Sequence, residues 1–177
     1  MSKIKTPYNN SLSYYKIAYF LKDYINKDTL IVCIGTDRCI GDSLGPLVGS
    51  MLRSKNFPLH VYGTIDNPIH ALNIEEKISQ IKNRHPNSNI IGIDACLGDK
   101  CKIGELQVRD YPVHPGKGVG KSLPNIGEVS IIGIVDSHEN NELFHSNTIR
   151  LSLIMNMAKT IVNSLLHCYY MVYNEPE

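Results

Sequence analysis

A chain of 177 residues is long enough for one domain with a substantial core. Lys and Arg number 18 against 17 Asp and Glu, a formal net charge of +1, so bulk charge argues against nucleic acid or an anionic membrane as a direct partner. No early stretch joins a basic start, an apolar segment and a small-residue cleavage site, and the longest apolar runs are too short to span a bilayer. The expectation is therefore a cytoplasmic protein.

The first predicted element is a helix over residues 11–26, where Leu12, Tyr15, Ile17, Tyr19, Phe20 and Tyr24 recur at roughly helical spacing. Asp28 and Thr29 lead into an apolar strand, Leu30 to Ile34, of the kind found inside a sheet. Asp42 or Ser43 can cap a helix that runs to about Lys55, with Leu44, Leu47, Val48, Met51 and Leu52 on its buried side. A short strand follows from Leu59 to Tyr62, then a helix from His70 to Asn83, ended by Arg84-His85-Pro86-Asn87.

Asn89 to Ile93 is a second buried strand. Ile103 to Arg109 alternates apolar and polar residues and predicts an exposed or edge strand. Residues 111–121 form a Gly- and Pro-rich loop, Val129 to Val135 a further strand, and Asn147 to about His167 a long amphipathic helix. The tail from Tyr169 carries little signal. Helices alternating with apolar strands predict an α/β fold, a three-layer α/β/α sandwich with a mostly parallel sheet. No linker or repeat divides residues 1–177, so one domain is expected.

In such sheets function collects beyond the carboxyl ends of the strands. Asp42 and Asp94 fall there. Asp42 also fits a plain helix cap, whereas Ala95-Cys96-Leu97-Gly98 is a poor helix start, so capping explains Asp94 less well. Neighbouring carboxylates can hold different protonation states and act as acid and base on a water, or share a divalent metal. In the loop after Val113, Gly116, Gly118 and Gly120 allow close backbone approach to a ligand. The segment is no P-loop, because the four-residue gap before Gly-Lys-Ser is absent. His114 is a candidate base or metal ligand, and Asp136 and His138 follow the last strand on the same edge. Ser137-His138 is not a hydrolase pair, since adjacent residues of an extended chain point opposite ways. Asp37 is expected to be solvated. The cysteines at 33, 39, 96, 101 and 168 are odd in number and match neither a disulfide framework nor a zinc ribbon.

Three segments together carry a resemblance. Residues 41–46 read Gly-Asp-Ser-Leu-Gly-Pro, 93–95 read Ile-Asp-Ala, and 114–120 read His-Pro-Gly-Lys-Gly-Val-Gly. They resemble, in order, the Asp-Ala-Leu-Gly-Pro, Ile-Asp-Ala and His-Pro-Gly-Ser-Gly-Val-Gly segments of the spore germination proteases. The chain is most similar to the smaller sporulation protein YyaC family of spore-forming Firmicutes, from about Leu30 to Lys159. The resemblance implies the fold of the hydrogenase maturation endopeptidases, a sandwich whose mixed sheet holds one antiparallel strand, for which residues 103–109 are the candidate. It implies that Asp42 and Asp94 match the proposed catalytic aspartates of the germination proteases. It also implies that Asp42, Asp94 and His114 are the positions to compare with the nickel-contacting residues of the hydrogenase peptidases, although the His spacing differs. The chain is much shorter than a germination protease and shows no evident pro-segment before Ser11, so zymogen control is not implied.

The resulting expectation is a sporulation-associated endopeptidase. Asp94 would serve as general base and Asp42 as acid, with the reverse assignment left open, and the Gly116–Gly120 loop would line the cleft. Its partner would be a peptide or a small acid-soluble spore protein, and a homo-oligomer is compatible with the sequence. No cofactor is required, although a divalent metal on Asp42, Asp94 and His114 is an alternative. A non-catalytic sporulation binding or regulatory protein using the same cleft is another.

Overall fold

The computed structural model describes residues 2–115, 123–137 and 149–173. Among them, six strands form one mixed sheet. In chain order these are β1 (Lys3–Pro7), β2 (Leu30–Cys33), β3 (His60–Tyr62), β4 (Ile90–Gly98), β5 (Glu105–Arg109) and β6 (Val129–Ser137). The spatial order is β1-β5-β6-β4-β2-β3. β3, β2, β4 and β6 run parallel, while β5 is antiparallel to both β6 and β1. The α-helices are α1 (Ser13–Leu21), α2 (Leu44–Ser54), α3 (Ile74–Arg84) and α4 (Leu151–Tyr173).

Side chains alternate across the sheet, and the two resulting faces bury two separate apolar clusters. Ile31 and Cys33 of β2, Ile91 and Ile93 of β4, Leu106 and Val108 of β5 and Ile131 of β6 pack beneath α1, α2 and α4. α4 meets them with Ile154, Met157, Ala158, Ile161, Val162, Leu165 and Cys168, a continuous stripe at helical spacing. Leu30, Val32, Ile90 and Ile132 point the other way, against Ile74, Ile78 and Ile81 of α3 and against Val113 and Ile126. The α/β fold class is as expected, with three layers.

Several boundaries differ from expectation for local reasons. The sequence reading lacks β1, because Lys3–Pro7 offers a single large aliphatic side chain, Ile4, to signal alternation. β1 covers the outer side of β5, so β5 is an interior strand rather than an edge, and the exposed Lys3, Lys5 and Pro7 now guard the edge. α1 begins only at Ser13, whose hydroxyl donates to the Pro7 carbonyl at 2.6 Å. α3 begins at Ile74, because Asn73 folds back to accept from the His70 N–H at 2.9 Å and to donate to the Pro68 carbonyl at 3.1 Å. α4 continues through Tyr173, carried by Tyr169 packing on Phe57. Among the described residues no helix is long and apolar enough to cross a membrane.

The start of α2 lies flush on the end of β2. A Cβ at Gly45 would sit 2.1 Å from the Ile34 carbonyl oxygen and 2.8 Å from its nitrogen, both backbone atoms that cannot swing aside. Gly45→Ala is therefore expected to destabilise the fold by about 3 kcal/mol, at the upper end of the usual cost of overpacking. A chemical-denaturation midpoint of the variant against wild type measures it.

Candidate active site

Asp42 stands in a single turn of 3-10 helix, Gly41–Ser43, between β2 and α2. After Cys33 the chain continues through Ile34, whose N–H donates to the Ile93 carbonyl at 2.8 Å, and Gly35, whose N–H donates to the Ile69 carbonyl at 2.8 Å. Gly35 has φ +133°, and a Cβ there would overlap the Asp42 carbonyl oxygen at 2.0 Å. The Thr36 N–H donates to that same oxygen at 3.1 Å. The loop is thus strapped onto the strand end by backbone contacts. Capping is not the role of this carboxylate. Ser43 takes the cap position of α2, makes no side-chain capping bond, and its hydroxyl donates to the Ile40 carbonyl at 2.7 Å.

Asp94 lies inside β4 rather than beyond its end. The β2–β4 ladder stops at Cys33–Ile93, while β4 goes on pairing with β6, where Asp94 is opposite Ile132. Asp94 is therefore the first β4 residue past the last β2 pair, set on a step where one strand outruns its neighbour. Ile91, Ile93 and Ala95 point into the cluster beneath α2 and α4, which puts the Asp94 side chain on the opposite face.

The two carboxyl groups interact. Burial pushes Asp42 up from an ordinary 3.8 to about 6, against a hydrogen bond from the Thr36 backbone that pulls it down. Burial pushes Asp94 well above the usual range, and the negative charge of Asp42 raises it further. The Ala95 N–H, donating to Oδ1 at 2.8 Å, opposes both.

Around Asp94 the register builds a polar surface from residues 105–109, the segment expected as an exposed or edge strand. Gln107, Ile132 and Asp94 share one row across β5, β6 and β4. Glu105, Gln107 and Arg109 alternate onto this face. Gln107 donates to Glu105 and accepts from Arg109, each at 2.5 Å, and Arg109 lies 5.5 Å from the Tyr111 ring. Gln107 is 7% exposed, because β1 closes the side where solvent was expected. Cys96 stands near this group, its thiol pushed up to about 11 by burial, with Arg109 pulling it down and Asp94 and Glu105 pushing it up. The polar half of the alternation at residues 103–109 was the available signal.

The remaining candidates scatter. His114 is exposed, its Nδ1 2.5 Å from Asn125 Oδ1. The stem of its loop, the Val113–Ile126 bridge, crosses Gly92, one row from Asp94 on the same face. Gly116, Gly118, Gly120 and His138 lie outside the described residues. Asp136 is buried, accepts from the Ser137 N–H at 2.8 Å, and lines a groove with Tyr8, Ile149 and Leu153 beside α4. Asp37 is exposed. Among the described residues no three His, Cys, Asp or Glu side chains are grouped to hold a metal ion.

Mixed-sheet topology and strand-end placement define an α/β/α domain of the hydrogenase maturation protease fold. The NiFe hydrogenase maturation protease HycI from Thermococcus kodakarensis KOD1 superposes with a TM-score of 0.51 at 19% identity, covering 82% of this chain and 98% of that one. Residues 5–164 match the family described as protein of unknown function DUF1256, and the chain belongs to that family. It is 44% identical over 146 residues to the uncharacterized protein YyaC of Bacillus subtilis (strain 168), covering 82% of this chain and 71% of that protein.

A carboxyl group raised on folding makes the native state bind more protons than the unfolded chain, so stability falls as pH rises. The stability linked to Asp42 is fully present below about pH 4 and lost through pH 6. Asp42→Asn removes this dependence. It is expected to stabilise the protein at pH 8 by on the order of 2 kcal/mol, and by nothing below pH 4, in denaturation midpoints measured across that range.

Proposed function

We propose that this protein is a peptidase-type hydrolase working through Asp42 and Asp94. The observation that carries the reading is the pair itself: two partly buried, interacting carboxyl groups, Asp42 after β2 and Asp94 in β4 just past the last β2 pair, in a fold shared with a maturation protease. Structural roles do not call for it, since among the described residues neither group caps a helix or holds a cation in an ion pair, and perturbed, coupled carboxyls gather at catalytic sites.

Burial raises both carboxyls and the Asp42 charge raises Asp94 further, which supports Asp42 as the base and Asp94 as the acid, the reverse of the first assignment from sequence. Asp42, raised to about 6, ionises as the pH approaches neutrality, whereas burial and the Asp42 charge both favour the protonated form of Asp94. Asp42 takes a proton from a water, whose oxygen adds to the carbonyl carbon of the scissile amide. Asp94 gives its proton to the amide nitrogen as the C–N bond breaks. A proton passed from Asp42 back to Asp94 restores the starting state.

For the substrate, the Gly41–Pro46, Ile93–Ala95 and His114–Gly120 segments support a sporulation role. Small acid-soluble spore proteins are the first candidates, met inside the sporulating cell or spore. Purified protein is expected to cleave such a spore protein, with fragments identified by mass spectrometry. kcat/KM should rise through about pH 6 as Asp42 ionises. Asp42→Asn/Asp94→Asn is expected to lower it about a thousandfold, the usual scale of acid–base catalysis. Equal fragment yields from wild type and the double variant would end the proposal.

A further inference from the structure

On the far side of the α3 face, two adjoining clefts of about 210 and 350 Å³ open along the edge strand β3. They share Arg53, Tyr62 and Arg84. One adds Lys77, the other His60 and His85, and no carboxylate of the described residues lines either. The arrangement is partly built. Arg53 is fixed by two hydrogen bonds from Nε and one terminal nitrogen to the Val61 carbonyl, at 3.3 and 2.9 Å. The Tyr62 hydroxyl and His85 Nε2 are 2.7 Å apart, and the His60 and His85 rings lie 4.9 Å from each other. Lys77 reaches only the neutral Asn67, at 3.4 Å. Among the described residues, Arg53, Lys77 and Arg84 stand together with no carboxylate in the lining. His85 shows the strain, being held below its ordinary value by burial and by the charges of His60 and Arg84.

The clefts also connect to the aspartate pair. Ile69, in the wall of the smaller cleft, accepts the hydrogen bond of Gly35, and the next residue, Thr36, binds Asp42. We infer that these clefts are a recognition subsite for an acidic segment of a polypeptide, read by Arg53, Lys77 and Arg84 with His60 and His85. Treating that segment as part of the substrate rests on the peptidase reading; the binding itself does not. The patch is compact, and the chain as a whole carries a net charge of only +1, so there is no long basic stripe to follow a nucleic-acid backbone. The Val61 carbonyl is already taken by Arg53, so side-chain charge, not strand addition at β3, provides the attraction.

The test uses the Asp42→Asn/Asp94→Asn protein, so that binding is read without turnover, and a fluorescent oligoglutamate peptide at low ionic strength. Anisotropy should show saturable binding that Lys77→Glu/Arg84→Glu weakens about tenfold, the combined effect of reversing two screened contacts. Lys16→Glu/Lys22→Glu on α1 should leave it unchanged. In the unaltered protein, the ring NMR signals of His60 and His85 should shift during the same titration, which guards against a misfolded variant. Failure of the peptide to bind, indifference to the charge reversal, or tighter binding of single-stranded DNA overturns the inference. Binding that follows the expected pattern sustains it even where wild type cleaves nothing.

Discussion

The site depends on one backbone contact: the chain after β2 doubles back so closely that Gly35 lies against the Asp42 carbonyl and Gly45 against Ile34. Neither position has room for a methyl group. That closeness puts the turn containing Asp42 directly over the ends of β2 and β4 and seats Leu44 and Val48 in the core beneath it. A looser turn would leave Asp42 solvated with an ordinary acidity. Held here, the carboxyl is partly desolvated, which raises its proton affinity, and its charge raises that of Asp94.

The same contact explains why the pair coexists with a stable fold. Two crowded carboxyls disfavour the native state at neutral pH, and the offset comes from the apolar layers on both faces of the sheet. β4 serves both sides of this balance. Ile91 and Ile93 fill the layer under the helices, and between Ile93 and Ala95 the alternation turns Asp94 to the other face, where β2 has already ended. Strand length, as much as residue identity, opens the space in front of this carboxyl.

The surface around the pair divides by charge. Glu105, Gln107 and Arg109 form a hydrogen-bonded line on β5 in the rows beside Asp94, while a basic region lies beyond β2 at the opposite edge of the sheet. The short Ile34–Ile69 bridge joins the second region to the loop that holds Asp42. A polypeptide lying across the strand ends would meet cations, then the carboxyl pair, then the polar line, so side-chain charge can set its direction.

Much of this was legible in the chain. Apolar runs at 30–34 and 89–93 marked central strands because their residues are buried on both faces, and an acidic residue after each marked the functional edge. Alternation at 103–109 marked a strand whose two faces meet different surroundings, and the family resemblance supplied its antiparallel direction. What sequence could not decide depended on distant neighbours. β1, 98 residues before its last partner in β5 by position in the Pro7–Glu105 pair, turns an apparent edge into an interior strand and buries Gln107. Asp42 and Ser43 both read as helix caps until Ser43 is seen in that position, and the raised proton affinities of the pair come from burial and, for Asp94, from the nearby Asp42 charge. Residue type and local spacing determined the elements and the two carboxylates. Only the tertiary structure decided which groups are desolvated and which charges meet, because dielectric surroundings and distance are properties of the folded chain and not of its order.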